Sequence, residues 1–274
     1  MIALIRVITR LLFKLRYRLS IHGLRQVIDR GNSRVVFLPN HPALIDPIML
    51  LSRLHGQFRP RIIADDDQVD RFFIRWAARK MGVRTIPAAG RGLNERIEQA
   101  LHACIDDARA GHNLLIYPSG HLYRTGYEDL RGNSAAETLL RELPDGRFVL
   151  VRTRGLWGSR FSWGRGHRPH VGRTLLRGAL GLLGSFIFFA PRRPVTIEFV
   201  EPDDLPRPQD GATREQINRY LEQFYNQGAG PPTDVPLSMW QGCRERELPE
   251  PSPPSIEGDA SEVPDATRRQ VREK

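Results

Sequence analysis

The sequence predicts an α/β fold, a largely parallel central sheet flanked by helices, with an N-terminal amphipathic membrane-binding helix in front of it. Three observations carry this expectation. Short apolar runs of strand type alternate with longer stretches of helical periodicity, the order produced when parallel strands are joined by crossover helices. The chain has 274 residues, 40% of them hydrophobic, which is enough to bury a full core in one domain of moderate size or at most two. Its two cysteines, Cys104 and Cys243, supply no disulfide framework and fit a reducing, cytosol-facing compartment.

Taken in order, residues 1–19 interleave Ile2, Leu4, Ile5, Ile8, Leu11, Leu12, Phe13 and Leu15 with Arg6, Arg10, Lys14, Arg16 and Arg18. This reads as a basic amphipathic helix that lies in a bilayer interface with its arginines on anionic headgroups. Charge interrupts it too often for a span, and it lacks the cleavage site of a signal peptide. Residues 20–228 form the main domain. Val35 to Leu38 read as a short buried strand, and Pro47 opens a helix to about Leu54 because its missing N–H is harmless there. A strand at Arg61 to Ala64 and a helix with Val69, Phe72, Phe73, Trp76 and Ala77 on one face follow. A strand around Val83 to Ile86 leads to a helix from Leu93 to Arg109, stopped by Gly111. Asn113 to Tyr117 is a strand, Asn133 to Leu143 contains a helix, Arg147 to Thr153 and Pro194 to Val200 are strands, and Thr213 to Asn226 is the last helix.

Two segments stand apart. Gly178 to Ala190 is an uncharged, glycine-bearing run bounded by Arg177 and by Pro191-Arg192-Arg193. It reads first as a core helix, with contact to lipid or an acyl chain as the alternative. Residues 229–274 form a proline-rich tail with no periodicity from Glu247 onward, expected to be disordered beyond about residue 245.

The chemistry points to His41 and Asp46, which lie on the turn between the strand at Val35 and the helix at Pro47. Open α/β sheets place their active residues at such carboxyl ends. A second pair with the same spacing, His102 and Asp107, lies inside the helix from Leu93, where the helical turn directs the two side chains apart. His41 and Asp46 are separated instead by Pro42 and a turn that lets the carboxylate orient the imidazole. Asp46 before a proline also fits a plain helix N-cap. Asp65-Asp66-Asp67 with Asp70 read as acids complementing a helix start rather than as a metal site, so no metal is expected.

A net charge of +10 calls for an acidic partner. Nucleic acid is set aside, because the aromatic residues form no exposed basic stacking motif. No Gly-x-Ser-x-Gly elbow, phosphate loop of the Gly-x-x-x-x-Gly-Lys type or His-Glu-x-x-His pair occurs.

Four blocks resemble the glycerophospholipid and lysophospholipid acyltransferases, the family of 1-acylglycerol-3-phosphate acyltransferase. Asn40-His41-Pro42-Ala43-Leu44-Ile45-Asp46-Pro47 is similar to the first, Met81 to Pro87 to the second, Leu115 to Gly126 to the third and Val149 to Ser159 to the fourth. The last resembles most the acyltransferase part of bacterial acylglycerophosphoethanolamine acyltransferase/acyl-carrier-protein synthetase proteins. The chain departs in the third block, where Ser119 stands for the family's glutamate and His121 for an arginine.

The resemblance implies acyl transfer from a thioester, acyl-carrier protein or acyl-CoA, to the hydroxyl of a lysophospholipid, with no other cofactor. His41 would be the base and Asp46 its orienting acid. Asn40, Arg91, Ser119, Gly120, His121 and Arg124 would contact substrate, Arg91 and Arg124 standing in for family cations. It also implies a peripheral or monotopic protein on the cytoplasmic face of the bacterial inner membrane, engaged in phospholipid biosynthesis.

Overall fold

The computed structural model describes residues 2–65, 83–86 and 93–251. The expected helix around Phe72 to Ala77 and the second half of the tail lie outside them. Seven strands form one sheet: β1 (Tyr17–His22), β2 (Val35–Pro39), β3 (Arg61–Asp65), β4 (Val83–Ile86), β5 (Leu114–Leu115), β6 (Arg147–Arg154) and β7 (Arg193–Val200). Their spatial order is β1-β7-β6-β2-β5-β3-β4. Every neighbouring pair is parallel except β6 with β7, so the expected largely parallel α/β sheet is present.

The helices are α1 (Ile2–Arg16), α2 (Leu24–Asp29), α3 (Asp46–Leu54), α4 (Leu93–Arg109), α5 (Ala135–Glu142), α6 (Val171–Gly184) and α7 (Arg214–Asn226). The central strand β2 shows why both sheet faces are covered. All five of its residues are buried, and the twofold alternation of a strand sends Val35 and Phe37 to one face and Val36 and Leu38 to the other. The first pair packs with Met49, Leu50 and Leu54 of α3 and with Val195 and Ile197 of β7. The second packs with Cys104 and Ile105 of α4, Leu139 and Leu140 of α5, and Ile217 and Leu221 of α7. Tyr225 of α7 also donates its hydroxyl to the Leu38 carbonyl at 2.9 Å.

Four expectations change. The amphipathic helix ends at Arg16, and Tyr17–His22 is an edge strand paired in parallel with β7. The strand expected at Asn113 to Tyr117 shrinks to two residues. Asn113 instead spends its side chain on its neighbours, accepting from the Val35 N–H at 2.8 Å and donating to Phe58 O at 2.5 Å. The run from Gly178 is no core helix: α6 covers its first half, and Leu180, Leu183, Phe186, Phe188 and Phe189 are all exposed. Arg193, expected to flank that run at an interface, is buried, and it donates to the carbonyls of Trp157 at 2.7 Å and Thr233 at 2.9 Å.

A short strand at Thr233–Asp234 pairs with Arg246–Glu247, carrying ordered pairing just past residue 245. Among the described residues, no helix is long and apolar enough to cross a membrane.

Phe37 stands at the centre of the first core, edge-on to Phe58 at 5.0 Å and to Phe199 at 6.2 Å. Phe37→Ala is expected to cost about 3–5 kcal/mol of stability through lost burial and the cavity left behind. Urea denaturation checks this, and a loss below about 1 kcal/mol would mean the core tolerates the gap.

Candidate active site

The carboxyl ends of β2, β5 and β6 meet, and the loop leaving β2 is tied to both neighbours. The Asn40 N–H donates to Val151 O at 3.1 Å. The Asn40 side chain donates to Thr153 O at 3.1 Å and accepts from the Thr153 N–H at 2.8 Å. Asn40 therefore clamps the loop to β6, with its amide committed to backbone rather than turned toward a ligand. On the other side, the Ile116 N–H donates to Phe37 O at 3.0 Å.

From this anchored stem the chain doubles back through Pro42 and brings His41 to Asp46. His41 Nδ1 lies 3.0 Å from Asp46 Oδ2. Asp46 is fully buried and is the first residue of α3. Ile45 holds the N-cap position, and the Asp46 carboxyl makes no cap bond, so the simple capping role does not apply. Tyr117 donates its hydroxyl to Asp46 Oδ1 at 2.6 Å, and the Ala43 N–H points at Oδ2 from 3.4 Å. The Tyr117 ring lies 4.3 Å from the imidazole, centroid to centroid.

These contacts settle the tautomer. A buried carboxylate accepts, so Nδ1 carries the proton and Nε2 keeps its lone pair for a substrate. Burial opposes protonation of His41, but the Asp46 charge, its hydrogen bond and the nearby Glu128 outweigh that penalty and raise the imidazole pKa above its ordinary value. The Tyr117 hydroxyl is pushed well upward by burial and by Asp46, which keeps it a donor.

Glu128 was not among the residues the sequence singled out. Its Oε2 accepts the His41 backbone N–H at 2.5 Å, 87 positions away in the chain. Its own peptide is gripped by α7, with the Glu128 N–H on Asn226 Oδ1 at 2.7 Å and Asn226 Nδ2 on Glu128 O at 2.9 Å. Burial raises this carboxyl to about 7, while the His41 amide, the Ser119 hydroxyl and the His41 charge pull the other way. Nothing in the local pattern Tyr127-Glu128-Asp129 marks it.

The third block lies alongside. Ser119 is buried with its Oγ 3.1 Å from His121 O, and Gly120 turns the chain with φ near 69°. His121 Nδ1 bonds Ser119 O at 2.6 Å. Its pKa is lowered by burial and by Arg131, so it stays neutral near pH 7. The Tyr123 N–H donates to His41 O at 3.3 Å, joining this loop to the histidine. Arg124 stacks over Trp163 at 4.8 Å. Arg91 lies outside the described residues. In the other pair, Asp107 bonds Arg61.

With this geometry in hand, known proteins offer a comparison. Residues 18–153 match the family model Acyltransferase. The matched stretch starts in β1 and ends in β6, so it contains His41, Asp46, Tyr117 and Glu128. No curated protein matches the chain by sequence. The fold is similar to the crystal structure of the 1-acyl-sn-glycerophosphate (LPA) acyltransferase PlsC from Thermotoga maritima. The TM-score is 0.54 at 16% identity, over 83% of this chain and 78% of that one.

Two outcomes test the site. Asp46→Asn removes the charge that offsets burial, so the His41 pKa should fall below its ordinary 6.5, read by NMR titration of the imidazole. An unchanged value would mean that Asp46 does not act on the ring. Glu128 holds a proton in the folded state that the unfolded chain has released above its ordinary 4.5, so stability drops as pH climbs from there through about 7. Glu128→Gln should abolish that decline, and parallel unfolding curves for variant and parent would refute the raised carboxyl.

Proposed function

We propose that this protein is a membrane-associated acyltransferase. It moves a fatty acyl group from an acyl thioester, carried by acyl-carrier protein or coenzyme A, to the free hydroxyl of a lysophospholipid or glycerophosphate-type acceptor. The observation that carries the reading is the 3.0 Å contact between His41 and a fully buried Asp46, inside the stretch that matches the acyltransferase model. The fold shared with PlsC supports it.

An alcohol has a pKa far above neutrality and attacks a thioester well only while losing its proton. His41 Nε2 takes that proton as the acceptor oxygen bonds to the thioester carbonyl carbon. The tetrahedral intermediate then collapses, breaking the carbon–sulfur bond, and the imidazolium returns the proton to the departing thiolate. Asp46 stabilises the imidazolium and Tyr117 holds Asp46. Glu128 is a positioning residue, since it fixes the His41 peptide.

The acceptor phosphate has one cation within the third block, Arg124. A guanidinium donates two parallel hydrogen bonds to phosphate. Ser119 and Glu128 together bear on the missing family glutamate, because the Ser119 hydroxyl pulls the Glu128 carboxyl pKa downward against burial while that carboxyl accepts the His41 N–H. Exposed Val7, Ile8, Leu11 and Leu12 on α1, with the net charge of +10, support docking on an anionic membrane, in this reading the cytoplasmic face of a bacterial inner membrane.

Mass spectrometry of products from a panel of lysolipids, each offered both thioesters, tests the proposal. His41→Ala should cut transfer by about 10²- to 10⁴-fold, the usual contribution of a positioned base. Ser119→Glu sets a second carboxyl against Glu128 and should change which acceptors are used. Unchanged products from both variants would overturn the assignment. If the parent binds lysolipid without transfer, and His41→Ala binds equally, the protein is instead a lipid- or carrier-binding relative, the alternative that Ser119 in the third block motivates.

A further inference from the structure

A pocket of about 300 Å³ opens at the head of α6, lined by Arg160, Arg165, Arg173 and Arg177 with His167, His170 and Thr174. None of these residues is acidic. Asp234 neutralises part of the charge by pairing with Arg165. The rest is crowded: burial lowers the Arg160 pKa, and Arg165 and Arg177 lower it further against the pull of Asp234. The buried Nε atoms of Arg160 and Arg165 lack hydrogen-bond partners. The first turn of α6 carries no acid, and its N-cap His170 makes no side-chain cap bond, so the positive end of the helix adds to the same field. Such an arrangement wants an anion with several acceptor oxygens.

The surroundings say what kind. Arg173 and Arg177 share a helical face with Leu176, Leu180 and Leu183, which are 64%, 60% and 64% exposed. The stripe continues into the turn after α6, where Phe186, Phe188 and Phe189 are exposed. The opposite side of α6 is held down, with Gly181 against Leu237 and the Trp240 indole donating to Gly184 O at 2.7 Å. Arg16 at the end of α1 bonds Pro191 O just beyond the turn, which joins this surface to the exposed leucines of α1. Cations at one end and an apolar stripe at the other match an amphiphile with a charged head.

We propose that this pocket binds the phosphate headgroup of an anionic bilayer phospholipid whose acyl chains run along the α6 stripe toward Phe188. This deepens the membrane-associated reading and does not depend on acyl transfer. The lipid is a docking ligand held apart from the acceptor, since neither His41 nor any third-block residue lines the pocket.

Flotation of the full chain with phosphatidylcholine vesicles, with and without added phosphatidylglycerol, tests it. Arg173→Ala/Arg177→Ala should lower retention on the anionic vesicles at least about tenfold, given what each juxtamembrane arginine contributes, and leave phosphatidylcholine binding unchanged. Arg25→Ala/Arg219→Ala, which removes the same charge elsewhere, should cost far less. Phe188→Asp should weaken binding to both vesicle types. Equal losses from the two arginine pairs would reduce the effect to net charge and overturn the site. Thermal protection by inorganic phosphate without any preference for anionic vesicles would mark a free-anion site and overturn the lipid assignment. Transfer assayed on the same samples separates this outcome from failure of the acyltransferase reading, because vesicle retention is scored without donor or acceptor.

Discussion

The architecture around the site turns on a single buried charge. Asp46 has no solvent contact, and a carboxylate sealed away without donors is strongly destabilising. Its donors come from separate places: the imidazole at the end of β2, the Tyr117 hydroxyl after β5, and the Ala43 amide in the intervening loop. Satisfying the acid therefore closes the loop onto two strands. The contact that stabilises the fold is also the one that fixes the histidine's tautomer, so stability and reactivity draw on the same hydrogen bonds.

A second layer holds the histidine by its backbone. Asn40 fastens the preceding residue to β6 while Glu128 takes the His41 amide. The ring is thus braced through Nδ1, through its own peptide and through its neighbour. Such bracing is the structural requirement for a base that must sit within hydrogen-bond reach of a hydroxyl.

What the sequence revealed, and what it hid, follows from how far each signal reaches. His41 and Asp46 were legible because a short turn decides their meeting, and β2, α3, α4, β6 and α7 were legible because period and flanking Pro or Gly are local properties. β1 was lost inside the apolar and basic run before it, since Tyr17–His22 becomes a strand through pairing with β7 far along the chain. Glu128 was invisible because only tertiary contact brings it to His41. The α6 segment misled for a related reason: an uncharged stretch looks like interior, and only its seat on the surface shows the leucines facing outward. Arg193 erred in the opposite direction, a charge that reads as surface yet is buried among carbonyls.

The Asn226 grip on the Glu128 peptide reaches back into the segment that matches the acyltransferase model from well beyond its end at residue 153. β1 likewise opens that segment yet, among the described residues, finds its only sheet neighbour in β7. The smallest piece able to keep His41 in place therefore runs through α7. A chimera spliced after Ser159 would inherit every signature block and still leave one strand without its partner and the carboxylate beneath the histidine without its clasp.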